Sequence, residues 1–174
     1  MKLISLFLTL TLSASTIYAK STTESIGDVF SIAIPASAYV TALYLNDKDG
    51  QIQFYKSFGT TMATTYVLKY TVREKRPDSN NKDSFPSGHT SSAFAGASYI
   101  HMKYGLKYAI IPYLAAAYTG YSRVNSNKHH TQDVVASAAI GILSSWYFVT
   151  PYKNLTITPL YGSDFKGLNL SYRW

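Results

Sequence analysis

The 174-residue chain contains no cysteine, which excludes disulfide bonds and zinc sites built on thiolates. Charged residues are also scarce, at 14% of the sequence, whereas hydrophobic residues make up 47%. This balance supplies enough apolar material for a substantial core and leans towards the composition of membrane-associated proteins. The sequence lacks internal repeats and low-complexity linkers, and its length fits one domain.

Acidic residues are fewer than basic ones, 9 against 16, which leaves a net charge of +7. Residues 1–19 resemble a signal peptide, because Lys2 is followed by an apolar stretch and by a small residue, Ala19, at a plausible cleavage point. An uncleaved N-terminal anchor is the alternative. Either form predicts export, with the periplasm or cell envelope as the location. The segment 20–174, with 15 basic and 9 acidic residues and a net +6, is then a single domain.

A basic surface can bind anionic membranes, nucleic acid or phosphorylated substrates, and export makes nucleic acid the least favoured partner. Abundant tyrosine, 16 residues, suits interfaces and partly wet pockets. The apolar segments near residues 108–121 and 134–149 are shorter than the ~20 residues that a membrane span needs. Both a buried helical core and a membrane bundle therefore remain open.

The hydrophobic pattern predicts an all-α fold, a helical bundle of about five helices over residues 24–150, followed by a C-terminal β-hairpin. The hairpin is predicted over residues 154–174, where apolar and polar residues alternate on both sides of a turn at 162–167. We expect this hairpin to pack on the helical body. The predicted helices cover residues 28–45, 51–75, 89–103, 106–121 and 130–149.

Two short clusters carry residues suited to binding an anion. Lys69 and Arg76 are seven residues apart, or about two helical turns, so both cations are expected to lie on one helix face. A solvated basic helix end is the alternative for this pair. The second cluster is Ser84-Phe85-Pro86-Ser87-Gly88-His89-Thr90, in which Pro86 and Gly88 shape a tight loop at a helix start, where backbone N–H groups make an anion site. Its alternative is an ordinary helix N-cap.

The third cluster runs from Ser122-Arg123 to His129 and Asp133. His129 and Asp133 are four residues apart, so they share a face if the helix has begun. A carboxylate there can hold one imidazole nitrogen and leave the other free to attack. The alternative is an exposed histidine beside an aspartate that complements the helix dipole.

An up-and-down bundle brings these clusters together. Lys69, Arg76 and Arg123 lie at helix ends, and His89 and His129 at helix starts, so all five fall at the same pole. Three cations, two histidines and a helix N-terminus suit the binding and cleavage of a phosphate.

The three motifs, in this order and spacing, resemble the type 2 phosphatidic acid phosphatases, which share a superfamily with bacterial acid phosphatases and vanadium haloperoxidases. The motifs span residues 69–133 and match without a departure. The resemblance implies a hydrolase of phosphate esters or diphosphates that needs no metal and no cofactor. It does not cover the C-terminal segment.

The resemblance also implies a role for each residue. His129 is the expected nucleophile, which forms a phosphohistidine intermediate, and Asp133 orients it. His89 is expected to protonate the leaving oxygen and later to activate water. The remaining positions are expected to bind the phosphate: Lys69, Arg76, Ser87, Gly88 and Arg123.

Other functions remain as alternatives. They are a haloperoxidase, for which the chain is short, and a metal hydrolase that uses His89, His129, His130 and Asp133, against which the nearby cations argue. A third is a non-catalytic anion-binding envelope protein. Among substrates, the apolar helices and positive charge favour a lipid phosphate at a membrane, with a soluble broad-specificity acid phosphatase as the alternative.

Overall fold

The computed structural model describes residues 21–152, 155–161 and 166–172. The predicted signal peptide, residues 1–19, lies outside them. Five α-helices follow one another along the described chain, as predicted, and the all-α part of the fold prediction is confirmed. The helices are α1 (Thr22–Tyr44), α2 (Lys48–Val72), α3 (Gly88–Tyr104), α4 (Leu106–Asn125) and α5 (Thr131–Phe148).

Helix α3 is the centre of the bundle, since it packs against each of the other four helices. Small residues make this possible, because they let helix backbones approach closely. A Cβ added to Gly96 would lie 2.6 Å from the backbone nitrogen of Pro35 on α1, and one added to Gly141 would lie 2.8 Å from that of Ala95. Glycine at these two positions therefore sets how closely α1 and α5 approach α3.

Many of the fully buried side chains are small or carry a hydroxyl group, whereas many large apolar side chains face outwards. Hydroxyl groups join the helices: Thr65 Oγ1 donates to Ser91 Oγ at 2.8 Å, and Ser92 Oγ donates to the carbonyl oxygen of Ser31 at 2.7 Å. Large apolar side chains that are more than two thirds exposed include Ile32, Ile111, Trp146 and Tyr147. Small residues and interhelical hydroxyl bonds at the contacts, with apolar side chains outside, are typical of helices that pack in a lipid environment.

The prediction of a C-terminal β-hairpin as part of this fold is wrong. Strands β1 (Leu155–Tyr161) and β2 (Lys166–Tyr172) pair with each other antiparallel. Within the described ranges, however, neither strand contacts any of the five helices, so the folded body is all-α. Alternation of apolar and polar residues indicates strand pairing, but it carries no information about what covers the apolar face.

Helix boundaries also differ from the prediction. Helix α2 ends at Val72, because Arg73 adopts a left-handed conformation with φ of 53°. Arg76 therefore lies in the following loop, and the expectation that Lys69 and Arg76 share a helix face is wrong. Helix α1 starts at Thr22, six residues before the predicted start, with Ser21 as N-cap accepting from the backbone N–H of Glu24 at 3.2 Å.

The close helix contacts generate a prediction about stability. Gly141→Ala should destabilise the fold by about 1–3 kcal/mol, because the new methyl group collides with the backbone of α3. Gly59→Ala is the matched control, since its Cβ would meet no atom within 4 Å and alanine favours a helix by roughly 0.5–1 kcal/mol. Thermal unfolding followed by circular dichroism compares the two. Equal midpoints for both variants would contradict the tight α3–α5 contact.

Candidate active site

Asp133 is the buried anchor of the site. It lies in the first turn of α5, and none of its surface is exposed. Its Oδ2 accepts hydrogen bonds from Ser84 Oγ at 2.6 Å and from the backbone N–H of His130 at 2.9 Å. The carboxylate therefore joins the start of α5 to the loop that precedes α3.

His129 sits against the same oxygen. Its Nδ1 lies 3.4 Å from Asp133 Oδ2, and only 3% of its side chain is exposed. The residue precedes the helix rather than opening it, since α5 starts at Thr131 with His130 as N-cap. The predicted pairing with Asp133 is nevertheless present. An imidazole that donates from Nδ1 carries its lone pair on Nε2.

The surroundings keep His129 uncharged. Burial, reinforced by the positive charges of Arg76 and Lys69, lowers the pKa of His129 from its ordinary 6.5 to about 4. The carboxylate of Asp133 opposes this shift but does not overcome it. At neutral pH the ring is therefore a neutral imidazole beside two cations.

The Ser87-Gly88 loop is fixed to α5 next to this pair. The backbone N–H of Ser87 donates to the carbonyl oxygen of Asp133 at 3.4 Å, and Ser137 Oγ donates to the carbonyl oxygen of Ser87 at 2.9 Å. Ser87 is the N-cap of α3, and its Oγ accepts from Thr90 Oγ1 at 3.0 Å. A Cβ on Gly88 would meet only Lys69 Cε, at 3.9 Å, so the loop borders the lysine.

Asp83 holds two of the predicted cations. Arg76 forms a two-pronged ion pair with its carboxylate, Nε to Oδ1 at 2.7 Å and Nη2 to Oδ2 at 3.1 Å. Lys69 Nζ donates to the carbonyl oxygen of Asp83 at 2.6 Å. The hydrogen bond from Arg76 lowers the pKa of Asp83, so the carboxylate is ionised at neutral pH. Lys69 and Arg76 therefore meet at Asp83 and not on a shared helix face.

Arg123 and His89 meet a second carboxylate, Asp28 of α1. Arg123 Nη1 lies 2.7 Å and His89 Nε2 3.3 Å from Asp28 Oδ1. Arg123 is buried in the last turn of α4 and also donates to the carbonyl oxygen of Glu24 at 2.6 Å. Its own carbonyl oxygen accepts from the backbone N–H of His129 at 3.3 Å, which places it beside the nucleophile candidate.

The predicted site residues therefore form one connected group, which also contains four residues that were not predicted from the sequence. Ser84 stood in the second cluster without a role. Glu24 was missed because α1 was predicted to start too late, and Asp28 was missed because its role depends on how closely α1 approaches α4. The Ser21-Thr-Thr-Glu24 sequence, a typical helix N-terminal signal, was available to correct this. Asp83 carried no signal, since its role depends on how the loop folds.

Within the described residues, one group can hold a metal ion: Glu74, His130 and Asp133, whose ligand atoms lie within 4.8 Å of one another. The metal site considered in the sequence analysis used His89 as a ligand, which is not part of this group. Nε2 of His89 instead lies 3.3 Å from Asp28 Oδ1. The oxygen of Asp133 nearest to His130 already accepts from Ser84 and from a backbone N–H. The donor set suits a divalent cation only in part.

The sequence profile of the PAP2 superfamily matches residues 2–157 of the chain. The chain belongs to this superfamily. The match includes all three motifs and every helix of the bundle, so it confirms the resemblance drawn from residues 69–133.

Two curated proteins are similar in sequence. The lipid A 4'-phosphatase of Helicobacter pylori is 28% identical over 169 residues, which cover 87% of this chain and 85% of that protein. The lipid A 1-phosphatase of Porphyromonas gingivalis is 44% identical over 78 residues, 43% of this chain. The aligned residues span only 18% of the length of the Porphyromonas protein.

The bundle is also similar to a solved structure. The crystal structure of Aquifex aeolicus LpxE aligns with a TM-score of 0.56 and 23% identity over 69% of this chain and 83% of that one. This likeness supports the helical fold.

The position of His129 generates a prediction about its titration. In the phosphate-free protein the imidazole should stay neutral down to a pH of about 4, because burial and the two cations disfavour its charged form. NMR titration of a sample labelled at histidine measures this. Lys69→Met should raise the His129 pKa, since one repelling charge is removed. A pKa of 6.5 or above in the unmodified protein would contradict the described environment.

Proposed function

We propose that the chain is a membrane-associated phosphatase that hydrolyses a phosphate monoester or diphosphate on a lipid through a covalent phosphohistidine on His129. Membership of the PAP2 superfamily and the phosphatase relatives support the reaction class. One observation carries the mechanism. His129 is buried and neutral, and it is held by Asp133 beside cations that can neutralise a phosphate.

In the proposed first step, Nε2 of His129 attacks phosphorus and the bond to the leaving oxygen breaks. Asp133 holds Nδ1–H, so the lone pair points away from the carboxylate and the charge that develops on the ring is stabilised. His89 donates a proton to the leaving oxygen. In the second step His89 takes a proton from water, the water oxygen bonds to phosphorus, and the bond to His129 breaks.

The phosphoryl oxygens would be bound by Lys69, Arg76 and Arg123, with the Ser87 hydroxyl and the Gly88 amide as further donors. Asp83 supports this assignment, because its carboxylate meets Arg76 with two oxygens as a phosphate would. Charge neutralisation by guanidinium and ammonium groups takes the place of a metal ion in this scheme. We therefore propose that the reaction is metal-independent.

A lipid substrate is favoured by the surface of the bundle. Large apolar side chains face outwards on α1, α4 and α5, and α1 is the one described helix that is long and apolar enough to cross a bilayer by length and composition. Exposed apolar surface on this scale marks an interaction with a membrane or a protein. The two bacterial relatives are named for phosphates of lipid A, so we propose a glycolipid phosphate of this type as the substrate.

Location follows from the same argument. We propose that residues 1–19 direct export and that the site acts at the periplasmic face of a membrane, where a net charge of +6 attracts anionic lipids. A soluble broad-specificity acid phosphatase is the second candidate, favoured by the exposed position of His89, at 47% of its side chain.

Phosphate release from a panel of substrates tests the proposal. Purified protein should hydrolyse lipid A and a prenyl diphosphate in detergent with a higher kcat/KM than a soluble aryl phosphate, and EDTA should leave the rates unchanged. His129→Ala should lower kcat by at least about a thousandfold, because no other nucleophile is positioned. His130→Gln is the matched control and should keep most of the activity.

Three results would contradict the proposal. Equal or better turnover of the soluble ester would favour the acid phosphatase. Loss of activity in EDTA, restored by a divalent cation, would favour a metal hydrolase. Activity in His129→Ala close to that of the unmodified protein would remove the phosphohistidine.

A further inference from the structure

Asp28 lies outside the three sequence motifs, yet it contacts two residues of the site. Its Oδ1 is 2.7 Å from Arg123 Nη1 and 3.3 Å from His89 Nε2. The three residues come from three different helices, α1, α3 and α4. The carboxylate therefore fixes the position of a histidine and an arginine relative to each other.

The packing of α1 on α4 determines this contact. A Cβ on Gly27 would lie 2.0 Å from Ser122 Oγ and 2.9 Å from Arg123 Nη2, so only glycine allows the two helices to approach here. Arg123 is held on three sides, since its other donors reach the carbonyl oxygen of Glu24 and Ser122 Oγ. Asp28 thus faces a guanidinium that two further hydrogen bonds hold in place, and His89 completes the group.

We propose that Asp28 is a positioning residue for His89, in the same way that Asp133 is for His129. This inference rests on the proposed function, in which His89 transfers the proton. With Nε2 held on the carboxylate, Nδ1 is the nitrogen that exchanges a proton with the leaving oxygen and then with water. The carboxylate of Asp28 fixes the ring orientation and stabilises the imidazolium that forms when water is deprotonated.

A purely structural role offers a different expectation. If Asp28 only pairs with Arg123, its loss weakens phosphate binding and affects every substrate alike. If it positions His89, its loss matters most where the leaving oxygen needs a proton. An alkoxide leaving group needs one, whereas nitrophenolate leaves without it.

The test compares kcat/KM for octyl phosphate with kcat/KM for 4-nitrophenyl phosphate in the same detergent, since this constant covers the steps up to release of the leaving group. Asp28→Asn should lower the ratio of octyl to nitrophenyl ester by on the order of tenfold to a hundredfold. Glu24→Gln is the matched control. This carboxylate lies one helical turn earlier and 4.0 Å from Arg123 Nη1, so its loss should affect both esters equally and leave the ratio unchanged.

Two further variants make the test specific. In a His89→Ala background, Asp28→Asn should not lower the ratio again, because both changes remove the same proton transfer. Asp28→Glu keeps the carboxylate, so it should lower the octyl-to-nitrophenyl ratio less than Asp28→Asn does. If Asp28→Asn does not fold, as judged by its thermal transition, the same comparison is made with Asp28→Glu, for which a ratio below that of the unmodified protein is expected.

An equal loss for both esters, or an unchanged ratio in the Asp28 variant that folds, would overturn the proposal. A further fall of the ratio in the His89→Ala background would also overturn it. Failure of the proposed function gives a different result, namely full activity in His129→Ala or no hydrolysis of either ester by the unmodified protein.

Discussion

The carboxylate of Asp133 is the group on which the rest of the site depends. It is fully buried, and its Oδ2 accepts hydrogen bonds from Ser84 Oγ and from the backbone N–H of His130. The same oxygen lies 3.4 Å from Nδ1 of His129. A buried carboxylate is costly unless hydrogen bonds surround it, so these partners and the anion stabilise one another. Through Ser84 the carboxylate fixes the loop that carries Asp83, and through that loop the positions of Lys69 and Arg76. The orientation of the histidine and the location of two cations thus follow from one interaction.

The distribution of side chains through the bundle fits a site that works at a membrane. Small and hydroxyl-bearing residues fill the helix contacts, and these contacts bring α1 close enough to α3 and α4 for Asp28 to meet both His89 and Arg123. The large apolar side chains are left for the outer surface. Charged groups of the site are consequently concentrated at one pole, where Arg76 pairs with Asp83 and Arg123 pairs with Asp28. In the proposed function a phosphate competes with Asp83 and Asp28 for the two arginines, and this competition favours a ligand of higher charge.

The sequence was sufficient to predict the helices and the residues that meet at the pole, because short motifs at helix ends determine both. The sequence was insufficient where the geometry of the backbone determines which residues come into contact. Lys69 and Arg76 converge on Asp83 and not along a helix face, since the left-handed Arg73 ends α2 before Arg76 is reached. Asp28 was missed because its role depends on how closely Gly27 allows α1 to approach α4, which no local pattern records. The prediction that the strand pair is part of the fold was wrong for a similar reason. Alternation of apolar and polar residues indicates that strands pair, but it does not specify what they pack against.

The central claim is that His129 becomes phosphorylated during turnover, and trapping the intermediate tests it most directly. His89→Ala protein should accumulate phosphoenzyme from an activated ³²P-labelled aryl phosphate, because the first step needs no proton donor and the second lacks its base. After an alkaline quench the label should remain, as a phosphoramidate is stable to base and labile to acid, and peptide mapping should locate it on His129. Label on Ser87, or equal labelling of His129→Ala, would contradict the account.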